Sequence, residues 1–431
     1  MTGESRLETL FESAVGPENV TANSVMVIDG LRPALLVRAG SRQEVAECLR
    51  ISSASDIAVI TAGHMTWLEC GNLLQRADIV LCLGRMDRII DYSPADLTIA
   101  VEAGLGLAEL NTILRSENQW LPLDPPGSSK ATIGAVAACA SSGPLRAEFG
   151  TPRDYCIGLS LAHADGSRSK SGGRVVKNVA GYDMNKLYVG SFGTLAVLTE
   201  LTLKLRPLPE CSATIAACSE QYGTLFEIAG ELLGSGLRPA SLCVANGRFS
   251  EVLQNGPETS ALLIRFVETE ALVKFQVEKA SAILGNRLDP GGAYRLVAED
   301  AAEKLWGQIA DLDTHAANTF KISVPVSRTR DAFDAATRKI PACMATAEIA
   351  TGILRIAFDA DHRGAVMLAT ELRTAARYLG GSLTIERAAP AVRSGADAWG
   401  EAGPAAETMR AIKSKFDPAF LLNRGRFVSG I

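Results

Sequence analysis

The sequence predicts an α+β protein, because short apolar runs typical of strands alternate with segments whose apolar residues recur every three or four positions. A second observation is the concentration of glycine in residues 172–193, directly before the apolar run 195–205. Glycine at that density is typical of backbone that turns tightly or approaches another group closely. We therefore expect a mixed fold that offers main-chain groups to a ligand.

Composition limits the classes of function. With 431 residues, 47% of them hydrophobic and 21% charged, the chain is expected to form two or three globular domains. A net charge of -5 argues against a nucleic-acid partner. No apolar run is long enough to span a membrane, and the N-terminus is typical of an acidic amphipathic helix. We therefore expect a cytoplasmic protein that does not insert directly into a membrane. The nine cysteines form no CxxC pair and are expected to be reduced thiols.

The first elements are a helix and a buried strand. Ser41 and Glu44 have the spacing of a capping box, and residues 57–60 have the pattern of a short buried strand. The polar, Gly-containing loop 61–72 follows that strand. Such a loop is either a phosphate-binding loop or an ordinary turn.

Further strands are predicted at 80–83, 88–92 and 97–103, and a helix at 106–114. Residues 120–127 have turn chemistry. Residues 132–140 are rich in small side chains, which suits either a helix start against a ligand or a close helix–sheet contact without one. Residues 157–164 are then expected to form a hairpin with the turn at Asp165 and Gly166.

The character of the sequence changes after the Pro-marked segment 206–209. The part that follows predicts an antiparallel sheet covered by helices on one face. Its predicted strands are 214–218, 241–245, 261–267, 320–326, 344–349, 352–358 and 382–385, and its predicted helices are 222–233, 271–284, 330–339 and 363–379. A last helix is expected at 404–416.

Four segments carry a resemblance to a known family: DPPGSSKATIG, GTPRDYCIGL, GGRVVKNVAGYDMNKLYVGSFGTL and LTLKLRPLP. Together they resemble the PCMH-type FAD-binding domain of the vanillyl-alcohol oxidase and p-cresol methylhydroxylase superfamily. They are most similar to the FAD-binding subunits of bacterial glycolate oxidases. The likeness covers about residues 30–210 and returns in FDPAFLLNRGRF near the C-terminus.

The resemblance implies a PCMH-type FAD-binding domain at 1–209 with two α+β subdomains, an α+β cap domain at 210–386 and a C-terminal segment at 387–431 that packs on the first domain. It also implies non-covalent FAD held largely by main chain. Carried over by position, the cofactor-binding residues are Gly63, His64, Met65, Thr66, Pro126, Thr132, Ile133, Gly134, Gly143, Gly193, Thr194 and Val197.

The chain departs from the family pattern in the loop expected to hold the pyrophosphate. His64 and Met65 stand where family members usually have further glycine or alanine. A positive φ at Met65 would be strained, and a protonated His64 would complement a pyrophosphate.

Several other residues have two interpretations. Lys177, Asn178 and Tyr182 are expected either to approach the flavin ring or to fix their own loop. His163 has the pattern of a structural histidine in a strand. Arg355 is either a carboxylate ligand or an exposed strand residue, and we favour the exposed position.

No catalytic residue or metal site is visible in the sequence. A dehydrogenase of this superfamily needs a base within reach of the substrate, but the chain has only four histidines and no clustered pair. The resemblance therefore implies an accessory or electron-relaying subunit of a glycolate oxidase complex, whose partners are a catalytic FAD subunit and an iron–sulfur subunit. Any membrane association would be made through that complex. The alternatives are a self-sufficient 2-hydroxy acid dehydrogenase and a scaffold without cofactor.

Overall fold

The N-terminal half of the chain forms two sheets with helices packed on them. The computed structural model describes residues 3–173, 182–249, 259–312 and 314–431. The strands of this half are β1 (Val20–Ala22), β2 (Leu35–Arg38), β3 (Val59–Ala62), β4 (Ile79–Cys82), β5 (Ile89–Ser93), β6 (Thr98–Glu102), β7 (Gln119–Trp120), β8 (Cys156–Ala162), β9 (Arg168–Gly172), β10 (Val197–Lys204) and β11 (Arg206–Pro207). Its helices are α1 (Gly3–Val15), α2 (Arg42–Ala54), α3 (Leu107–Arg115), α4 (Ile133–Cys139), α5 (Arg146–Phe149), α6 (Pro152–Tyr155) and α7 (Asn185–Tyr188).

The two sheets differ in strand direction. The first has the order β1-β2-β4-β3, and β2, β4 and β3 run parallel. The second has the order β5-β6-β10-β8-β9 and is antiparallel, with β8 and β9 joined by the predicted hairpin. One apolar core fills the space beneath both sheets and includes Phe11 from α1.

Side chains cap α2, at Ser41 and Glu44 as the sequence predicts, and α4, at Thr132. The hydroxyl of Ser41 accepts a hydrogen bond from the Glu44 N–H at 3.1 Å, and the Glu44 carboxylate accepts one from the Gly40 N–H at 2.8 Å. Thr132 caps α4 by accepting from the Ala135 N–H at 3.3 Å. These bonds satisfy N–H groups that have no partner within their helices.

The second half of the chain forms one eight-stranded antiparallel sheet. Its order is β15-β12-β14-β13-β17-β18-β16-β19, where the strands are β12 (Cys211–Ser219), β13 (Ser241–Ala245), β14 (Ser260–Glu268), β15 (Ala293–Val297), β16 (Asn318–Ser323), β17 (Met344–Glu348), β18 (Ile353–Phe358) and β19 (Ser382–Arg387). The helices are α8 (Tyr222–Gly234), α9 (Glu270–Arg287), α10 (Glu299–Asp311), α11 (Thr329–Lys339), α12 (His362–Tyr378), α13 (Pro390–Gly395) and α14 (Ala405–Phe416).

The expectation that helices cover this sheet on one face is wrong. Helices α8, α9, α11 and α12 pack on one face, but α10 packs on the other. Its side chains Leu305, Trp306 and Ile309 bury the face that includes Ala216 and Leu263. Neither α10 nor β15 is anticipated in the sequence, because the stretch between α9 and β16 mixes charged and apolar residues without a long apolar run.

The C-terminal segment returns to the first sheet. The Val59 N–H donates to the Leu421 carbonyl at 2.9 Å, and the Asn423 N–H donates to the Val59 carbonyl at 2.9 Å. Behind it, the fully buried ammonium of Lys413 donates to the carboxylate of Asp417 at 2.5 Å and to the Thr194 carbonyl at 2.7 Å. Opposite charges buried together in this way fix the segment in place.

None of the described helices combines the length and the apolar character needed to cross a membrane.

Candidate functional site

Two adjoining cavities lie at the carboxyl end of β3, and we call them the narrow and the wide cavity. The narrow cavity, of about 100 Å³, lies between the N-terminal half and the C-terminal segment, which contributes Asn423 and Arg426 to its lining. The wide cavity, of about 590 Å³, lies between that half and the eight-stranded sheet. They share a wall, and the residues lining both are Met65, Thr66, Trp67, Leu68, Cys70, Cys139 and Phe192. The two cavities therefore form one extended cleft.

The loop that follows β3 packs directly on the start of α4. A Cβ at Gly63 would lie 2.3 Å from the hydroxyl oxygen of Thr132, and a Cβ at Gly134 would lie 2.7 Å from the Cβ of Ala103. Contacts that short do not occur, so both positions require glycine. The tertiary fold thus brings together two segments about 70 residues apart that the sequence marked separately.

The same loop contains a strained residue and an unsatisfied one. Met65 has φ +63°, a left-handed conformation that disfavours a side chain. The buried Thr66 hydroxyl oxygen has no hydrogen-bond partner within the described structure. Strain and orphaned polar groups of this kind cluster at ligand sites. A polar ligand in the cleft would supply the partner that Thr66 lacks.

Most of the predicted cofactor residues line this cleft. Those on the narrow cavity are Gly63, Met65, Thr66, Thr132, Gly134, Gly193 and Val197. Pro126 lines the wide cavity, beside Gly127. Three stretches of chain that are far apart in the sequence therefore meet around one space.

Four predicted residues lie outside the lining. The exposed His64 ring is 3.1 Å from the Lys130 carbonyl, which holds it away from the cleft. Ile133 belongs to the core, and Gly143 packs so tightly on Asp124 that a Cβ would lie 2.0 Å from its carbonyl oxygen. The Thr194 hydroxyl donates to the Ser191 carbonyl at 2.7 Å. None of these four residues lines either cavity.

Sequence reasoning missed the contribution of Asn423 from the C-terminal segment. Its side chain donates to the Phe192 carbonyl at 2.7 Å and accepts from the Thr61 N–H at 3.0 Å. It also lines the narrow cavity. The signal in the sequence is weak, since it is one polar residue in the tail FLLNRGRF. Asn423 fixes two walls of the cleft relative to each other.

Aromatic rings close the cleft beside Phe192, whose own φ is +55°. The Phe192 ring meets Trp399 edge to face with centroids 4.8 Å apart, and Trp399 meets Phe427 at 5.4 Å. The Trp399 indole N–H donates to the Arg426 carbonyl at 3.1 Å. Three chain segments are thereby packed together at the wall that both cavities share.

The far wall of the wide cavity is charged. It includes Arg355, and the expectation that this residue is exposed on its strand is wrong. Arg355 is 6% exposed, and its Nε lies 3.1 Å from the Glu386 carboxylate. Lys321 lies 3.6 Å from the same carboxylate. Burial by itself would raise the pKa of Glu386, but the charges of these two cations hold that pKa below its ordinary value. The cavity therefore contains an ionised carboxylate between two cations.

The histidines do not form a catalytic or metal centre. His163 is 2.7 Å from the Ser169 hydroxyl and stacks on Phe416, a structural role, and burial lowers its pKa. His315 and His362 are exposed. Among the described residues, no group of three His, Cys, Asp or Glu side chains is arranged to hold a metal.

The cysteine thiols of the cleft are held protonated. Burial raises the pKa of Cys70 to about 11 and raises that of Cys139 well above its ordinary value. Nucleophilic chemistry needs the thiolate, so neither thiol is poised to react. Lys177 and Asn178 lie outside the described residues, and the Tyr182 side chain is 95% exposed.

Comparison with known proteins identifies part of the chain that lines this cleft. Residues 33–172 match the model of a family described as an FAD binding domain. FAD is therefore the cofactor, as the sequence predicts, and the residues of the cleft fit it. They provide closely approachable backbone at Gly63 and Gly193 and an unpaired hydroxyl at Thr66.

The relatives with matching sequences include a dehydrogenase and two oxidase subunits. The chain is 27% identical to the D-lactate dehydrogenase [cytochrome], mitochondrial, of Arabidopsis thaliana, over 92% of this chain and 73% of that protein. It is 29% identical to the glycolate oxidase subunit GlcD of Bacillus subtilis, over 58% and 55%. Over 33% of this chain and 41% of the relative, it is 40% identical to the glycolate oxidase subunit GlcE of Escherichia coli. The chain thus spans about half the length of the two glycolate oxidase subunits.

Solved structures confirm the predicted fold. A p-cresol methylhydroxylase with substrate bound superposes with a TM-score of 0.77 at 16% identity, covering 99% of this chain and 97% of that one. An alkyldihydroxyacetonephosphate synthase superposes with a TM-score of 0.74 at 14% identity, covering 98% and 85%. The chain has the PCMH-type FAD-binding fold with an α+β second domain.

Proposed function

We propose that this chain is the FAD-binding subunit of a 2-hydroxy acid oxidoreductase of the glycolate oxidase type, with an accessory or electron-relaying role. The observation that carries the proposal is the cleft at Gly63, Thr66 and Gly193. There the backbone can closely approach a polar ligand, and the unpaired Thr66 hydroxyl can form a hydrogen bond with it. Sequence similarity to two glycolate oxidase subunits supports the choice of reaction. The partners we propose are a catalytic FAD subunit and an iron–sulfur subunit.

In this proposal the residues of the chain bind and orient the cofactor and exclude water from it. Bound FAD supplies a two-electron acceptor. The backbone of Gly63 and the hydroxyl of Thr66 would hold its polar part, while Phe192 and Trp399 would cover the apolar part of the cleft. Because the Cys70 and Cys139 thiols stay protonated, we expect FAD to be bound without a covalent link.

An accessory role is favoured because the described part of the cleft lacks the histidines that usually act as a catalytic base or bind a metal. No histidine lines either cavity, and no metal-binding cluster occurs among the described residues. A dehydrogenase acting alone needs a group that accepts the substrate hydroxyl proton. Glu386 is a weak base, since Arg355 and Lys321 stabilise its ionised form.

A second candidate is a self-sufficient 2-hydroxy acid dehydrogenase, and the wide cavity favours it. That cavity adjoins the narrow one and contains Lys321, Arg355 and Glu386, which are the kinds of side chain that bind a carboxylate and move a proton. The similarity to a D-lactate dehydrogenase along most of the chain supports the same reading.

One experiment separates these functions. The full chain is purified alone and its visible spectrum is recorded, then glycolate or D-lactate is added without oxygen. An accessory subunit shows flavin absorption that neither acid bleaches unless the two partner subunits are added. Bleaching of the isolated chain would establish the self-sufficient enzyme, and a colourless protein that does not take up added FAD would establish a scaffold.

The division into 1–209, 210–386 and 387–431, and a cytoplasmic location, are parts of the same proposal. Limited proteolysis tests the first boundary, because residues 206, 207 and 210 are exposed there and cleavage should concentrate at them. The second boundary falls within β19, where pairing in the sheet should protect the chain. Fractionation of cells with and without the partner subunits tests the location.

A further inference from the structure

We infer that Asp311, in the second domain, is a positioning residue for the cofactor. Its carboxylate holds the turn at Pro126 and Gly127 against the loop that contains Thr66, so the second domain contributes to the affinity for FAD. This inference rests on the part of the proposed function that places FAD in the cleft, and it does not depend on the reaction.

Residues 125–128 form a β-turn that leaves one N–H group without a partner. The Ser128 N–H donates to the Pro125 carbonyl at 3.1 Å. Pro126 occupies the second position of the turn and Gly127 the third, with φ +67°, which is the arrangement of a type II turn. The hydrogen bond within the turn does not use the Gly127 N–H, so that group needs a partner from elsewhere.

That partner comes from the second domain. The Gly127 N–H donates to the Asp311 carboxylate at 2.6 Å, across a separation of 184 residues. Asp311 is the last residue of α10, and a helix dipole disfavours an anion at that end. The preferences of the helix therefore do not account for an acid there, and the hydrogen bond to the other domain offsets its cost.

The end of α10 that carries Asp311 is fixed in place. Leu305 and Trp306 of this helix are buried against the eight-stranded sheet. Arg355 on β18 donates to the Ala310 carbonyl, one residue before Asp311, at 3.3 Å. The carboxylate is thus an acceptor on a well-packed element, and it can define where the turn lies.

On its other side the turn touches the loop that follows β3. A Cβ at Gly127 would lie 2.8 Å from the methyl carbon of Thr66, so the two residues are in direct contact. Thr66 carries the buried hydroxyl that has no partner within the described structure. Thr66, Gly127 and Asp311 all line the wide cavity. A turn released from Asp311 would let Thr66 move, and its hydroxyl would meet the cofactor less well.

The test removes the acceptor and then replaces it. Asp311→Ala should bind FAD about tenfold more weakly in a flavin fluorescence titration of the full chain, since hydrogen bonds to charged groups are the stronger ones. Asp311→Asn keeps an acceptor oxygen and should restore the affinity to within about threefold of the parent. At saturating FAD, the visible circular dichroism of the bound flavin should change in Asp311→Ala and stay close to the parent in Asp311→Asn.

Asp359→Ala is the matched control. The Asp359 carboxylate accepts a hydrogen bond from the Ala317 N–H at 2.8 Å, in the same domain but outside the lining of both cavities. Both alanine variants lose a bond between a carboxylate and an amide, so the melting temperatures of the two apoproteins should fall by similar amounts. Only Asp311→Ala should lose affinity for FAD.

The outcomes separate this inference from the proposed function. A parent chain that binds FAD, with an Asp311→Ala variant of the same affinity and the same flavin dichroism, would overturn only the inference. Equal losses of FAD affinity in Asp311→Ala and Asp359→Ala would do the same, because they would show a general effect of stability. A parent chain that takes up no FAD would overturn the proposed function and the inference with it.

Discussion

The carboxylate of Asp29 lies 2.5 Å from the guanidinium of Arg393, and both side chains are fully buried. The other carboxylate oxygen lies 2.8 Å from Arg426. One residue comes from the N-terminal half, one follows the eight-stranded sheet, and one belongs to the C-terminal tail. A single buried anion therefore joins the three parts of the chain that enclose the cofactor cleft.

We expect Asp29→Asn to destabilise the protein by about 3–5 kcal/mol, because it leaves two buried guanidinium groups without a counter-charge. Urea unfolding, followed by tryptophan fluorescence, measures the change. The control is Asp56→Asn, whose carboxylate pairs with Arg76 but is 74% exposed, and it should cost less than about 1 kcal/mol. Equal effects of the two variants would contradict the role given to Asp29.

Gly63→Ala should abolish FAD binding, since its new methyl group would lie 2.3 Å from the Thr132 hydroxyl and would push the loop away from α4. The measurement is the flavin content of the purified protein and its recovery after FAD is added. Gly230→Ala is the matched control, because Gly230 lies in a helix with open space where its Cβ would be. That variant should keep its flavin and gain about 1 kcal/mol of stability. A Gly63→Ala protein that kept its yellow flavin would contradict the role of Gly63 in FAD binding.

Thr66→Val tests whether the Thr66 hydroxyl binds the cofactor or stabilises the fold. The Thr66 hydroxyl has no partner in the protein, so its removal should leave the apoprotein as stable or slightly more stable, while FAD binds about tenfold less tightly. Flavin fluorescence titration and apoprotein melting provide the two readings.

The control for that variant is Thr214→Val in the second domain. The Thr214 hydroxyl accepts a hydrogen bond from the buried Trp306 indole at 3.0 Å. Its loss should lower stability by about 1–3 kcal/mol and leave FAD affinity unchanged. If Thr66→Val instead behaved like Thr214→Val, the hydroxyl of Thr66 would have a structural role.

Stability should fall as the pH rises toward neutrality because of Asp124. Burial raises the pKa of Asp124 to about 7, while in the unfolded chain the carboxyl has its ordinary value of 3.8. From about pH 4 to pH 7 the unfolded state releases this proton and the folded state keeps it, so the folded state loses free energy relative to the unfolded one. The Leu145 N–H and Arg265 oppose the shift, and Glu348 adds to it.

Asp124→Asn should remove that dependence, because an amide keeps an acceptor for the Leu145 N–H but does not titrate. Relative to the parent, it should gain roughly 2–3 kcal/mol between about pH 5 and pH 8. Urea unfolding at the two pH values measures this. The exposed Asp87→Asn should show no such gain. A parent protein whose stability does not fall over this range would refute the assignment.

The local features of this fold follow from the sequence because they depend on neighbouring residues. The capping of α2 by Ser41 and the turn at Asp165 and Gly166 need only a few positions along the chain. The sequence prediction for the second domain lacked β15 and α10, because the pattern there is mixed and burial depends on distant partners such as Ala216. Glycine-rich loops marked the cofactor cleft, although not which of their residues would face it.

The sequence by itself determined the α+β class, the order of most elements and the glycines that a cofactor needs, because each of these is written in local spacing and composition. Only the tertiary structure decided that Asn423 joins Thr61 to Phe192, that Arg355 is buried beside Glu386, and that Arg146 lines the same cavity as they do. These pairs are separated by tens to hundreds of residues. Their chemistry comes from burial and from which charges meet, and neither is encoded in the neighbourhood of any one residue.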